Sequence, residues 1–67
     1  MKLYRYLTGP DDTAFCERVT EALNTGWSLY GDPTLTYDPE RKRVVCGQAV
    51  VKEVAGDYEP GLKLSDY

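Results

Sequence analysis

Residues 43–54 constrain this chain most, because they are apolar on both alternating sets of positions. Read as a strand, the segment sends Val45, Gly47, Ala49 and Val51 to one side and Val44, Cys46, Gln48 and Val50 to the other. A sheet covered by helix on one face alone normally alternates apolar with polar residues. This strand does not, so a sheet built around it has two faces to cover.

The rest of the chain offers one helix for the task. Residues 2–8 read as a first strand, with Leu3 and Leu7 on one side and Tyr4 and Tyr6 on the other. Gly9-Pro10 is expected to stop it. Asp11 or Asp12 is placed to cap a helix, and both suit the positive end of its dipole. Phe15, Val19, Ala22 and Leu23 then recur at helical spacing, with Cys16 at the border of the stripe. Gly26 can adopt the left-handed conformation that closes the helix, and Trp27 is expected to plug the helix–strand joint.

A second strand begins at Trp27, is broken near Asp32-Pro33, and resumes over residues 34–37. Residues 38–42 carry the composition of a turn, so the second and third strands form a hairpin. The expected fold is therefore α+β: a β-α-β-β two-layer domain whose three-stranded sheet carries one helix on one face. A right-handed crossover makes the first two strands parallel. The third can lie between them in the order 1-3-2, with 1-2-3 as the alternative. Residues 1–55 make the single domain, and residues 56–67 a loosely docked or disordered tail.

Composition narrows the function classes. At 67 residues the chain buries only about 60% of the surface it would expose unfolded. A net charge of −3 gives no attraction for a phosphate backbone, so no nucleic-acid partner is expected. The basic run Arg41-Lys42-Arg43 reads as a solvated turn. No run approaches a membrane span and no secretory leader is visible, which points to the cytoplasm. There is no histidine, and Cys16 and Cys46 stand apart from any other metal-ligand cluster. No metal and no cofactor are expected.

Nor is an enzyme. Asp11-Asp12 reads as a cap, and Glu17 with Glu21 as a solvated helix face. Cys46 has no nameable base or positive neighbour to activate it, and reads, like Cys16, as a small buried hydrophobe. The expected function is a non-enzymatic interaction module. It associates with itself as a homodimer, or with another protein, through the side of the sheet the helix leaves open. Tyr4, Tyr6, Tyr30, Cys46, Gln48 and Val50 are the candidate surface residues. The alternative is a small-ligand or peptide site near Tyr6, Tyr30 and Gln48.

Several blocks resemble a known family: Tyr4-Arg5-Tyr6-Leu7-Thr8-Gly9-Pro10-Asp11-Asp12, then Phe15-Cys16 and Val19-Thr20, then Gly26-Trp27-Ser28-Leu29-Tyr30-Gly31, and Gly47-Gln48-Ala49-Val50-Val51-Lys52. They are similar to the domain-of-unknown-function family 1737 of bacteria and phages, over roughly residues 3–54. The resemblance implies the same strand–helix–hairpin order and a stand-alone or N-terminal accessory domain. It brings no catalytic or ligand residues.

Overall fold

Asp12 opens the only α-helix of a computed structural model that describes residues 1–67. Its backbone is extended, and its carboxylate accepts the Phe15 N–H at 3.0 Å, satisfying one of the orphan donors of the first turn. The helix, α1, runs Thr13–Asn24. Gly26, at φ 99°, turns the chain away. The Lys52 ammonium donates to the Thr25 carbonyl at 2.7 Å, placing a cation where the helix dipole is negative.

Around the helix lie β1 (Lys2–Pro10), β2 (Ser28–Asp38) and β3 (Arg43–Glu53). The sheet order is β1-β3-β2, with β3 antiparallel to both neighbours, so β1 and β2 run parallel. The chain is an α+β domain of β-α-β-β order with its helix on one face. β1 does not stop at Gly9: Gly9 pairs with Cys46 and Pro10 with Val45. Proline is tolerated here because β1 is an edge strand, and the ladder resumes one residue on, where the Asp11 N–H donates to the Val44 carbonyl at 3.2 Å. In the turn between β2 and β3, Asp38 accepts from the N–H groups of Glu40 and Arg41.

The core lies between α1 and the sheet. Leu3, Leu7, Ala22, Trp27 and Val50 are buried, with Phe15 and Val19 packed against them. Leu23 and Cys16 are exposed, against the expectation that the first faces the core and the second is buried. Helix geometry explains both. At ~100° per residue, Phe15, Val19 and Ala22 define one line, while Leu23 and Cys16 fall together on its flank. Leu64 and Tyr67 of the tail also pack on the core, and the Trp27 indole N–H points at the main-chain oxygen of Tyr67 at 3.4 Å. Leu64–Asp66 forms a single 3₁₀ turn.

Candidate functional site

Directly paired residues of adjacent strands send their side chains to the same face, so the register reads the open face row by row. Tyr4, Val51 and Ser28 make one row across the three strands. Tyr6, Ala49 and Tyr30 make the next, then Thr8, Gly47 and Thr34, then Pro10, Val45 and Thr36. None of these twelve residues is an acid or a base at neutral pH. The rows beyond them are charged and of mixed sign: Lys2 opposes Glu53 at one end, and Asp38 opposes Arg43 at the other.

Three tyrosines dominate the face. Tyr30 and Tyr4 are 58% and 54% exposed. Tyr6 is different, because it crosses the sheet. Its hydroxyl reaches Thr34 Oγ1 of β2 at 2.5 Å, and its ring lies over Gly47. Gly47 and Ala49 are buried as a result, although no helix covers them.

The candidate residues divide between the two faces. Tyr4, Tyr6 and Tyr30 come together on the open one. Cys46, Gln48 and Val50 do not join them: they oppose Gly9, Leu7 and Arg5 and face the helix side. Val50 is wholly buried in the core. Gln48 is buried beside the irregularity of β2, where pairing jumps from Tyr30 to Thr34. Its carboxamide nitrogen donates to the carbonyls of Ala49 at 2.9 Å, Gly31 at 3.3 Å and Tyr30 at 3.4 Å. Gln48 therefore lies on the opposite face of the sheet from the Tyr6 and Tyr30 side chains. The residues that join the tyrosines instead are Val45, Ala49 and Val51, the other alternating set of β3.

Cys46 is half-buried, its thiol directed at the carbonyls of Gly9 and Pro10. Loss of hydration pushes the thiol pKa up, and the charges of Asp11, Cys16 and Asp12 push it the same way. A nucleophilic cysteine needs the reverse. No group of three or more His, Cys, Asp or Glu side chains gathers where it could hold a metal ion, and no helix is long and apolar enough to cross a membrane.

A second apolar area lies on the helix side along β2, at the edge of α1. Leu29, Leu35 and Tyr37 of β2 are exposed there with Val44 and Leu23, and Leu35 reaches 67%. A twelve-residue helix is about 18 Å long, whereas the eleven-residue strands extend to about 36 Å, so the hairpin projects past it.

The family model described as Domain of unknown function (DUF1737) matches residues 1–53, and the chain belongs to that family. No curated protein and no solved structure matches it.

Proposed function

We propose that this member of the DUF1737 family is a non-enzymatic interaction module that pairs with a second copy of itself through the open face of its sheet. The observation that carries this reading is the charge pattern. Four paired rows across three strands hold no charged side chain, with Asp32 in the unpaired β2 irregularity between the second and third, while opposite charges meet in the row at each end. Interface cores are depleted in charge and enriched in tyrosine, and their rims are polar. A two-fold axis through the middle of such a face sets uncharged rows against uncharged rows and lets Lys2 and Glu53 of each copy find opposite charges at the rim. The open face also spans all three strands, whereas the helix-side leucines lie mainly on β2. Two free thiols fit a reducing, cytoplasmic setting for a bacterial accessory domain.

Sedimentation of the wild type across the micromolar range tests the pairing. A dimer is expected, and Tyr30→Lys or Tyr4→Lys converts it to monomer by burying an unpaired charge in the interface. Leu35→Lys leaves it a dimer. A wild type that is monomeric throughout, or a dimer broken by Leu35→Lys and not by Tyr30→Lys, overturns the assignment of this face.

A further inference from the structure

On the flank of α1 opposite Leu23, the helix, β1 and the tail border an open cavity of about 270 Å³. Arg5 of β1 and Arg18 of α1 line it, with Glu21, Trp27, Ser65 and Tyr67. Arg18 is already anchored: one guanidinium nitrogen donates to the Thr8 carbonyl at 2.8 Å, holding the head against β1. Arg5 is half-buried, its guanidinium carbon 5.6 Å from the centre of the Trp27 ring. Both ion pairs of the chain lie elsewhere, at Met1–Glu53 and Arg41–Asp38. Arg5 also donates to no protein acceptor, and no buried nitrogen of the chain lacks a partner, so its donors are open to water in the cavity. Glu21 is the single acidic side chain on the wall and is paired with neither arginine, and the main-chain oxygen of Tyr67 is taken by the Trp27 indole N–H.

Two arginines thus line one cavity, and neither is paired with a carboxylate. A guanidinium carries five donors in a fixed fork that matches a carboxylate or phosphate in bidentate fashion. Stacking over an indole holds such a fork in place and costs it none of its donors. We propose that this cavity binds the oxyanion group of a small molecule, a carboxylate or a phosphate, with Arg5 as its principal partner and Arg18 as the second. The volume sits at the lower limit of small-ligand pockets, which start near ~300 Å³, so it suits a small anion rather than a chain. The site lies on the helix side of the sheet and does not depend on self-association.

Titration of the full chain with sodium phosphate, and separately with sodium citrate, at ionic strength held constant with sodium chloride tests this. The single tryptophan reports by fluorescence, and the arginine side-chain and indole N–H signals report by NMR. Saturable binding of at least one salt is expected, with shifts centred on Arg5, Arg18 and Trp27. Tighter binding of citrate marks a carboxylate ligand, and tighter binding of phosphate a phosphorylated one. R5Q should weaken binding about tenfold or more, as loss of a charge-assisted contact does, and R5K by less. The monomeric Tyr30→Lys variant should bind as the wild type does. No saturation by either salt in the millimolar range overturns the proposal. So do wild-type shifts that lie away from the cavity, a readout that stands even if R5Q fails to fold.

Discussion

A Cβ placed on Gly47 would stand 2.5 Å from the hydroxyl oxygen of Tyr6. The backbone of Gly47 is not in the left-handed region, so the glycine is there for the ring and not for its φ. Glycine weakens a strand interior unless something packs on it, and here an aromatic from the neighbouring strand does. Gly47→Ala must push the half-exposed ring aside and strain its bond to Thr34, for an expected cost of about 1 kcal/mol or less, because the ring can swing toward water and alanine costs the strand less backbone entropy. In a Tyr6→Ala background the same substitution should cost much less. Chemical denaturation of the four proteins of that cycle measures the coupling, and additive costs would refute the contact.

Gln48 holds the β2 irregularity from the opposite face. Where pairing skips from Tyr30 to Thr34, the carbonyls of Tyr30 and Gly31 take the Gln48 carboxamide as donor. Gln48→Met keeps the length of the side chain and removes the donor, leaving the part-buried carbonyls of Tyr30 and Gly31 without it. The expected loss is about 1–3 kcal/mol, accompanied by faster amide exchange at residues 31–34 than in the rest of the hairpin. Uniform exchange through the hairpin would show that the turn residues alone fix the bulge.

Those two contacts mark where the sequence stops being legible. The helix announces itself through Asp12, the Phe15–Val19–Ala22 line and Gly26, and the hairpin through Pro33 and the 38–42 turn, because each is a local signal. The faces of β3 do not. With both alternating sets apolar, hydrophobic pattern gives no preference for one over the other, and a slip of one residue exchanges them. Tyr4 and Tyr6 were thus expected beside Cys46 and Gln48, and instead stand with Val45, Gly47, Ala49 and Val51. A buried glutamine is the residue that could have decided it: its polar group needs backbone carbonyls, and the interruption near Pro33 offers those of Tyr30 and Gly31. Leu23 lies outside the core for a simpler reason: spacing defines a stripe but not its centre.

Helix capping separates the two adjacent aspartates. Asp12 accepts the Phe15 N–H, whereas the Asp11 side chain makes no bond to the helix. Asp12→Ala should lower stability by about 0.5–2 kcal/mol, and Asp12→Asn by only a small part of that. Asp11→Ala should cost less than Asp12→Ala. Thermal melts of the three variants rank them, and an equal loss from both alanine substitutions would mean that charge near the helix dipole matters more than the cap bond.

The thiols give a prediction whose sign depends on burial. Cys16 is exposed on the helix flank, while Cys46 is half-buried with its pKa raised, first by lost hydration and then by Asp11, Cys16 and Asp12. Iodoacetamide at mildly alkaline pH should therefore modify Cys16 first, with Cys46 following only as the chain opens, a sequence that mass spectrometry of the intact protein resolves. The same shift ties stability to pH. Folded Cys46 keeps its proton to higher pH than the unfolded chain does. Above the ordinary thiol pKa the unfolded state therefore binds fewer protons, and stability falls as pH rises. Cys46→Ala removes that group from both states, so the alkaline decline in the denaturation midpoint should be shallower in the variant than in the wild type. An identical slope in the two proteins would mean that Cys46 has the same affinity for its proton folded and unfolded.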